Sequence, residues 1–553
     1  MINSEIRPRL LTFWIMAGLV AAGLAWACYT HHAWEDYYIT FRASKNLATG
    51  QGLTFTPGER VHSFTSPLGV LLPALASVLT GNGSDDAALW VFRCMSLAAS
   101  AGAGFLLWRL CLALHGSRWA AWLLLVLYAL DTKIVDFTTN GMETGILMLF
   151  LAWTLSALLL APPRQAWQLG LAWAGLMWTR PDSCVYIAVL SLGALLFGSS
   201  SARAGGRGKM LRTLLTAGVL AAVLYLPWLA WAWSYYGSPV PHTITAKALF
   251  HPPVTLGNLP DIIWAFPAML TAHVDMLATT FMPPYSSITG WPAAMLQGTF
   301  WVAALVTLVW ALPGIRRETR LASAAFCAGQ FYLTVFVGFP VPWYVPTNTV
   351  FALLVIAGVT AQLDQATRPS PTLTTSLRVL RVGGWILSGL LVAGSLTITV
   401  LAAHQLRLQQ ALIERGERQA IGLWLRDQAA TPHDTVLLEP LGYIGFYSNL
   451  KMLDFPGLSS PEVIAARRRA HVKAYPDCWA ELIVDLRPDW LVLRPYEAAV
   501  IRRLNPAIFR QDYVLAKVFD VRPQVQAIPF IMGRGYLLND ACFEVYHRRA
   551  RHE

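Results

Sequence analysis

The stretch HAWEDYYITFRASKNLATGQGLTFTPGERVHSFTSPLG (residues 32–69) follows almost directly on the apolar run LLTFWIMAGLVAAGLAWACYT (residues 10–30). This run is long enough to cross the hydrocarbon core of a bilayer. It exceeds the length of a signal-peptide core, so we expect a retained transmembrane helix. Two adjacent carboxylates, Glu35 and Asp36, therefore lie where the helix leaves the membrane, and their chemistry depends on the side they face.

The composition is typical of an integral membrane protein. Of 553 residues, 55% are hydrophobic and 13% are charged, and the mean hydropathy is +0.47. Soluble proteins contain about 25% charged residues. The net charge of +11 does not indicate nucleic-acid binding, because the Lys and Arg residues are spread over short loops instead of one face.

Apolar segments recur along the first 403 residues and predict about eleven transmembrane helices. The predicted spans are residues 9–29, 88–114, 119–131, 143–161, 166–179, 183–199, 211–233, 292–312, 321–338, 347–363 and 382–403. A twelfth apolar segment, residues 66–81, is short, begins with Ser-Pro and ends in GNGSDD without a basic flank. We expect it to lie as a helix along the membrane surface.

The positions of Lys and Arg predict the orientation, since basic residues favour cytoplasmic loops. Basic residues occur before the first span and on every second loop: Arg7, Arg9, 115–118, 162–165, 201–212, 314–320 and 368–381. With residues 66–81 outside the bilayer, all of these are cytoplasmic. The first loop (30–87), the long loop (234–291) and residues 404–553 are then on the exported side.

The sequence pattern of the C-terminal part predicts a soluble α/β domain (404–553) that is attached to the membrane domain (1–403). An amphipathic stretch at 406–430 precedes TPHDTVLLEP (431–440), which reads as a turn and a strand. DWLVLRPYE and DYVLAKVFD predict further strands. Cys478 and Cys542 could form a disulfide in an oxidising compartment, or remain two separate buried thiols.

The acidic pair indicates a type of chemistry once the side of the membrane that it faces is known. ATP and nucleotide sugars are absent outside the cytoplasm, so an enzyme there needs an energy-rich membrane-bound substrate, such as a polyprenyl-linked sugar. Sugar transfer needs a general base, and the donor phosphate needs a cation. Burial and a neighbouring acid raise the pKa of a carboxyl, which suits Asp36 for proton abstraction. The alternative is a solvated helix end that carries two acids.

The first loop resembles that of multi-spanning GT-C glycosyltransferases, most closely the branch containing the mycobacterial terminal arabinofuranosyltransferases. The matching elements are Glu35-Asp36, Tyr38-Ile39-Thr40-Phe41-Arg42, Asn46-Leu47, Gly50-Gln51-Gly52-Leu53, Gly58-Glu59-Arg60-Val61 and Thr65-Ser66-Pro67-Leu68. Residues 140–144, 179–183, 235–247, 342–346, 442–463 and 486–493 are similar to the same branch. This sequence departs from the branch at His242, where Asn is usual, and at Glu35, where Asp is usual.

The resemblance implies an inverting transfer of a sugar, with arabinofuranose as the branch-level expectation, from a polyprenyl-phosphate donor to an acceptor hydroxyl. Asp36 is then the expected base, and Glu35 tunes its pKa or holds the acceptor. Lys247 is expected to meet the donor phosphate, unless it is an interfacial lysine that reaches toward water. The expected acceptor is a cell-envelope polysaccharide, a lipopolysaccharide core or a glycoprotein.

The other candidate binding residues each have two interpretations. Arg180 and Asp182 form a structural ion pair or bind substrate, and Glu143 complements a helix dipole or contacts the acceptor. His62 is hydrogen-bonded within the loop or reaches the phosphate, with His242 as a further candidate. Trp343 and Tyr344 stack on a sugar or anchor the interface. Arg42 is expected to brace the loop in preference to binding a ligand.

Motifs for metals and other enzyme classes restrict the alternatives. His31, His32 and His62 form no His-x3-His or Cys-x2-Cys pattern, so zinc is not expected. A Mg²⁺ or Mn²⁺ ion held by Asp36 and bridging the donor phosphate is a possibility that the sequence leaves open. The chain contains no Walker A, dinucleotide-binding or Gly-x-Ser-x-Gly motif.

Two further functions compete with transfer. A transporter or flippase of polyprenyl-linked glycans would place ionisable groups inside its helices and show internal repeats, whereas this sequence has few charges in its spans and no visible repeat. An inactive membrane part carrying a glycan-binding tail is less consistent with an intact acidic loop. The sequence therefore favours a glycosyltransferase of a bacterial inner membrane.

Overall fold

The computed structural model describes residues 2–197, 206–249, 254–255, 257–272, 274–288, 290–338, 341–367, 375–469 and 475–549, with side chains from residue 10 onward. Two of the loops predicted to be cytoplasmic lie partly outside these ranges, at 198–205 and 368–374, and so do parts of the long loop 234–291. The side chains of Arg7 and Arg9 also lie outside the described set.

The described chain contains 24 α-helices and five β-strands. The helices are α1 (Ile2–Thr30), α2 (Glu35–Ala48), α3 (Pro67–Leu79), α4 (Asp85–His115), α5 (Arg118–Leu130), α6 (Thr132–Thr139), α7 (Thr144–Leu160), α8 (Gln165–Thr179), α9 (Ser183–Phe197), α10 (Gly206–Tyr236), α11 (His242–Ala248), α12 (Leu259–Ala272), α13 (Val274–Ala278), α14 (Ala293–Leu308), α15 (Arg317–Tyr332), α16 (Val345–Ala366), α17 (Thr375–Gln409), α18 (Ala420–Gln428), α19 (Leu441–Ser448), α20 (Pro461–Arg469), α21 (Trp479–Leu486), α22 (Pro495–Leu504), α23 (Arg522–Ala527) and α24 (Arg534–Asn539). The strands are β1 (Thr435–Leu438), β2 (Lys451–Asp454), β3 (Trp490–Leu493), β4 (Tyr513–Asp520) and β5 (Cys542–Arg548). Short 3-10 or π-helical segments occur at Val309–Ala311, Leu333–Val337, Pro342–Tyr344, Gln410–Gln419 and Ile508–Asp512.

Each of the eleven predicted spans coincides with a helix in the part of the chain that the structure describes, which excludes residues 198 and 199 of one span. This confirms the predicted polytopic α-helical class. Within the described ranges, seven helical segments are long and apolar enough to cross a membrane: Leu10–Thr30, Asp85–His115, Gly206–Tyr236, Ala293–Ala311, Arg317–Val337, Pro342–Ala366 and Thr375–Gln428. The other four predicted spans are α5, α7, α8 and α9, with 13 to 17 residues. These helices are shorter than the roughly 20 residues that a perpendicular span needs.

Helix α16 lies at the centre of the membrane part, and most of its length is buried. Small residues allow neighbouring helices to approach it closely, as is common between membrane helices. A Cβ on Gly329 of α15 would collide with Asn348 of α16, and a Cβ on Gly358 of α16 would collide with Thr319 of α15. Glycine at these two positions therefore sets the spacing between α15 and α16.

The segment predicted to lie along the membrane surface forms helix α3. The Ser66 hydroxyl caps its start by accepting a hydrogen bond from the Gly69 N–H at 2.8 Å. Leu75, Val78 and Leu79 are exposed near its end. This apolar exposed side is consistent with a helix against lipid, although its depth and orientation stay predictions.

The C-terminal domain contains one five-stranded sheet, in the order β2-β1-β3-β5-β4. The first three strands are parallel, and β5 is antiparallel to both β3 and β4. The predicted strands correspond to β1, β3 and β4, which confirms the α/β class of this region. Strands β2 and β5 were not predicted, since short strands with charged ends give a weak periodic signal.

The connection between the two parts is helical. Helix α17 continues through the π-helical segment Gln410–Gln419 into α18. Residue 404, where the sequence predicts the domain boundary, thus lies inside a continuous helix. The division at this residue stays a prediction. Cys478 and Cys542 are both buried free thiols, so the structure shows the second of the two predicted alternatives.

Candidate active site

A cavity of about 370 Å³ lies between helix α2 and the C-terminal domain. Four of the predicted site residues, Glu35, Asp36, Lys247 and Trp343, line it together. The other lining residues are Trp34, Ile39, Tyr285, Gln409, Glu414, Arg418, Glu439, Pro440, Leu441, Phe455, Pro456, Leu458, Arg494, Tyr536, Asn539 and Asp540. The cavity is therefore built from the first loop, the later loops of the membrane part and the C-terminal domain.

The backbone before the acidic pair is held on two sides. The Trp34 N–H donates to the Asn140 carbonyl at 2.9 Å, which ties the start of α2 to the end of α6. The Ala33 N–H donates to the Gln410 side-chain oxygen at 2.9 Å, and the Tyr443 hydroxyl donates to the Ala33 carbonyl at 3.0 Å. Both the membrane part and the C-terminal domain thus fix where α2 begins.

Glu35 and Asp36 occupy the first turn of α2, where negative charge complements the helix dipole. Glu35 accepts a hydrogen bond from the Gly442 N–H at the start of α19. A Cβ at position 442 would collide with the Glu35 backbone, so only glycine fits there. Burial raises the pKa of Glu35, Arg418 opposes this effect, and Asp36 adds to it. The protonated form of Glu35 is therefore favoured near neutral pH.

Asp36 has the ionisation that a general base needs. Burial raises the pKa of Asp36 to about 6, with Lys247 opposing the rise and the carboxylates of Glu439 and Glu143 adding to it. At neutral pH the carboxyl is ionised, yet it binds a proton more readily than a solvated aspartate. A base is most effective when its pKa lies near the working pH.

Lys247 contributes a cation to the same cavity. It lies in the last turn of α11, and its Nζ is 5.8 Å from the ring centroid of Trp343. Among the residues that the structure describes, no carboxylate forms an ion pair with Lys247. The ammonium is therefore available to an anionic ligand, next to Asp36 and against an aromatic ring.

Four other predicted residues form a cluster outside the cavity lining, with Glu143 and Arg180 buried and Asp182 and Tyr344 half-buried. The Arg180 guanidinium is 3.1 Å from Asp182 and 3.3 Å from Glu143, and it lies 4.1 Å from the Tyr344 ring centroid. Arg180 and Asp182 are thus close enough to form the ion pair that one of the two interpretations expects. The contact between Arg180 and Glu143 joins the end of α8 to the start of α7. Tyr344 of this cluster is next in sequence to Trp343, which lines the cavity. The cluster is therefore adjacent to the cavity without lining it.

Arg42 does not line the cavity and instead connects α2 to the C-terminal domain. It donates to the carbonyls of Gly445 at 2.8 Å and Leu450 at 3.0 Å. Its guanidinium lies 4.3 Å from the ring centroid of Phe55. Arg42 is thus engaged by protein groups, mainly of the C-terminal domain, and its bracing of the loop stays a prediction.

His62 and His242 also lie away from the cavity. The His62 ring stacks on Tyr236 with centroids 4.5 Å apart, and burial lowers its pKa to about 4, so the ring is neutral. The His62 carbonyl accepts a hydrogen bond from the His242 N–H at 2.9 Å. The pair therefore joins the first loop to the long loop.

The structure adds a charged network that the sequence analysis did not select. Arg418 contacts Glu414 at 2.9 Å and Asp540 at 2.5 Å, and Arg494 contacts Asp540 at 2.5 Å and Glu439 at 2.7 Å. All five residues line the cavity from the C-terminal domain. Glu439 and Arg494 each directly follow an apolar strand segment. This position in the sequence could have identified them as candidate site residues.

An aromatic stack crosses from the membrane part to the C-terminal domain. The rings of Trp34 and Tyr285 are stacked with centroids 6.1 Å apart, and those of Tyr285 and Tyr536 are stacked at 5.0 Å. All three line the cavity. Tyr285 and Tyr536 were not predicted as site residues, because more than 200 residues separate each ring of the stack from the next.

Metal binding was left open by the sequence. Within the described ranges, no group of three or more His, Cys, Asp or Glu residues is placed to hold an ion. His32 is engaged with Asp136, at 2.9 Å. A Mg²⁺ ion bound partly by substrate phosphate and water needs only one or two carboxylates, so a cation at Asp36 stays a prediction.

A family described as a domain of unknown function (DUF8728) matches residues 404–546. A terminal beta-(1->2)-arabinofuranosyltransferase of Corynebacterium glutamicum is 29% identical over an alignment of 263 residues that covers 42% of this chain and 36% of that protein. The match thus spans about a third of the relative's length.

Two solved structures have a similar fold. The archaeal oligosaccharyltransferase AglB from Archaeoglobus fulgidus, in complex with an inhibitory peptide and a dolichol-phosphate, has a TM-score of 0.51 at 11% identity, covering 87% of this chain and 69% of its own. ArnT from Cupriavidus metallidurans, bound to undecaprenyl phosphate, has a TM-score of 0.50 at 11% identity, covering 97% of both chains. These likenesses confirm the predicted GT-C fold, and the matches together confirm the resemblance to GT-C glycosyltransferases.

Proposed function

We propose that this GT-C-fold protein is a glycosyltransferase that moves a sugar from a polyprenyl-phosphate donor to a hydroxyl group of a cell-envelope acceptor. The observation that carries the proposal is the meeting of Asp36 and Lys247 in one cavity. The name of the Corynebacterium relative and the polyprenyl-type lipids in the AglB and ArnT structures support it. The name of the relative further supports arabinofuranose as the transferred sugar.

Asp36 and Lys247 each have one role in the proposed reaction. The acceptor hydroxyl loses its proton to Asp36 while its oxygen lone pair forms the new bond to the anomeric carbon. The bond from that carbon to the donor phosphate breaks, and its electron pair stays on the phosphate oxygen. Lys247 stabilises the negative charge that this oxygen acquires, as a preorganised cation does in a partly dry site. Attack and departure on opposite faces of the sugar invert its configuration.

Glu35 supports this step from beside the base. In its protonated form it can donate a hydrogen bond into the cavity, and its ionisation would raise the pKa of Asp36 further. A bound divalent cation, if Asp36 holds one, would neutralise charge on the donor phosphate.

The exported location belongs to the same proposal. The alternation of basic and non-basic loops supports placing the cavity and the C-terminal domain on the outer face of a bacterial inner membrane. Polyprenyl-phosphate sugars supply an activated donor there without nucleotides.

The test is transfer by the purified full chain. It is incubated with a panel of polyprenyl-phosphate sugars and a cell-envelope glycan, and the mass of the glycan is measured. We expect Asp36→Asn to lower the transfer rate by about 10²–10⁴-fold, the usual contribution of a general base. Asp86→Asn is the matched control, because Asp86 is an exposed acid with a 3.8 Å contact to Arg415.

Two outcomes would contradict the proposal. Full turnover by Asp36→Asn would remove Asp36 as the base. Movement of the lipid-linked sugar across a proteoliposome membrane, without a new glycosidic bond, would identify the transporter alternative, which the comparisons do not favour.

A further inference from the structure

A second cavity, of about 790 Å³, lies at the opposite end of the membrane helices from Asp36. It is formed by the ends of α4, α7 and α9 and by the starts of α8, α10 and α15. Helix α7 begins beside Glu143 and ends at this cavity, and its 17 residues span about 25 Å. The cavity is therefore separated from the candidate active site by a distance close to the thickness of a bilayer core.

The lining of this second cavity has an excess of positive charge. Its charged residues are Arg164, Arg207, Lys209, Arg317 and Glu318, so cations outnumber carboxylates by three. The four cationic residues are exposed, whereas Glu318 is half-buried. An anion that enters the cavity would meet net attraction.

The protein does not neutralise this charge. Among the residues that the structure describes, no carboxylate forms an ion pair with Arg164, Arg207 or Arg317. Residues 198–205, which connect α9 to α10 in the sequence, contain Arg203 and no acid. Arg207 and Arg317 also lie in the first turns of α10 and α15, where a positive charge opposes the helix dipole. These two arginines therefore do not serve the stability of their own helices.

The backbone at Arg164 is one that suits glycine better than arginine. Arg164 precedes α8 with a φ of 59°, in the left-handed region that most residues rarely adopt. Its carbonyl accepts hydrogen bonds from the N–H groups of Trp167 at 3.0 Å and Gln168 at 3.1 Å. These backbone contacts need no side chain at this position, so they give no structural reason for an arginine. A ligand for the guanidinium would supply one.

The rest of the lining is largely apolar and borders the surface that faces lipid. The apolar lining residues include Leu159, Ala194, Phe197, Met210 and Leu321. On the same two helices, Leu196 of α9 and Leu215 of α10 are exposed, as lipid-facing residues are. One cavity therefore combines a cationic rim with an apolar wall. A phospholipid matches both parts, whereas a soluble phosphate compound would use only the rim.

We propose that this second cavity binds an anionic glycerophospholipid, whose phosphate lies among Arg164, Arg207 and Arg317 and whose first acyl carbons lie against the apolar wall. Basic pockets between membrane helices on the cytoplasmic side suit anionic lipid headgroups. The loops that carry these arginines are among those predicted to be cytoplasmic, so the lipid belongs to the cytoplasmic leaflet. The bound lipid would join the loop between α7 and α8 to the starts of α10 and α15.

The test measures lipid binding by the full-length protein in detergent. The protein is titrated with dioleoylphosphatidylglycerol and, separately, with dioleoylphosphatidylcholine, and bound lipid is counted by native mass spectrometry. We expect tighter binding of the anionic lipid. Arg207→Gln and Arg317→Gln should each weaken it about fivefold, the effect of losing one cation beside an anionic lipid.

Arg164→Gly keeps the test independent of folding. It removes the guanidinium and places glycine at a left-handed position that glycine adopts without strain. We expect binding of dioleoylphosphatidylglycerol to weaken about fivefold while the unfolding temperature stays nearly unchanged.

Arg118→Gln is the matched control. Arg118 is exposed, is the first residue of α5 and belongs to another loop predicted to be cytoplasmic, but it lies outside the cavity lining. Its loss should leave binding of dioleoylphosphatidylglycerol unchanged. Glycerol 3-phosphate, which has the phosphate without acyl chains, should not displace the lipid at equal concentration.

Three results would overturn the inference. The first is equal binding of the two lipids by the unmodified protein. The second is an equal effect of Arg118→Gln and Arg207→Gln, which would indicate nonspecific attraction by basic loops. The third is displacement of the lipid by an equal concentration of glycerol 3-phosphate, which would identify a soluble phosphate ligand. None of these results depends on Asp36 or on sugar transfer, so the inference and the proposed function fail separately.

Discussion

The contact between Gly442 and Glu35 offers the sharpest test of how the two parts of the chain build one site. A Cβ added at position 442 would meet the Glu35 carbonyl oxygen first, with the carbonyl carbon at 2.8 Å and the side-chain Cδ at 2.9 Å. Ordinary van der Waals contact begins near 3.4 Å. The carbonyl oxygen is closer still, so Gly442→Ala requires α19 and α2 to separate by about 1 Å or more.

This displacement acts on both stability and rate. Overpacking of a tight contact costs about 1–3 kcal/mol, so the unfolding temperature in detergent should fall. A misplacement of about 1 Å can cost about a hundredfold in rate, so a shift of this size should lower transfer by roughly tenfold or more. The effect reaches the chemistry because Asp36 directly follows the residue that is pushed.

The assay compares transfer rate and thermal unfolding for Gly442→Ala and a control glycine variant. Gly389→Ala serves as the control, because a Cβ at that position in α17 has no atom of the described chain within 4 Å. It should leave both measurements nearly unchanged. Wild-type activity and stability in Gly442→Ala would show that α19 is not in tight contact with α2. That result would contradict a cavity built jointly by the first loop and the C-terminal domain.

Three further predictions concern ionisation and thiols. Since Asp36 has a pKa raised to about 6 and acts only when deprotonated, kcat/KM should fall about tenfold per pH unit below pH 6, measured as a pH–rate profile. Lys247→Met removes the cation that lowers the pKa of Asp36 most, ahead of Arg418, so the acidic limb of the pH–rate profile should move to higher pH while the KM for the donor rises. An unchanged acidic limb would show that Lys247 does not act on Asp36. Cys478 and Cys542 should both be alkylated after denaturation without reductant, and a mass spectrum in which neither thiol is modified would instead indicate a disulfide.

Part of the candidate site could be predicted from the sequence because its residues lie in one recognisable loop pattern. Glu35 and Asp36 were selected from their position after an apolar helix, and the family resemblance supplied Lys247 and Trp343. The structure brings these four residues to one cavity. Arg42 and His62 share the same pattern, but their contacts lie within the protein, since burial and local hydrogen bonding take up their polar groups.

The amino-acid sequence by itself determined the membrane class, the helical segments and three of the five strands, because apolar length and periodicity depend only on neighbouring residues. Only the tertiary structure decided that Glu439, Arg494 and Tyr536 share a cavity with Asp36. Roughly 400 or more residues separate these groups from the acidic pair, and no local pattern records such a contact. Their meeting depends on the fit of α19 against α2, where the Arg42 guanidinium and the small Gly442 allow two distant parts of the chain to pack face to face.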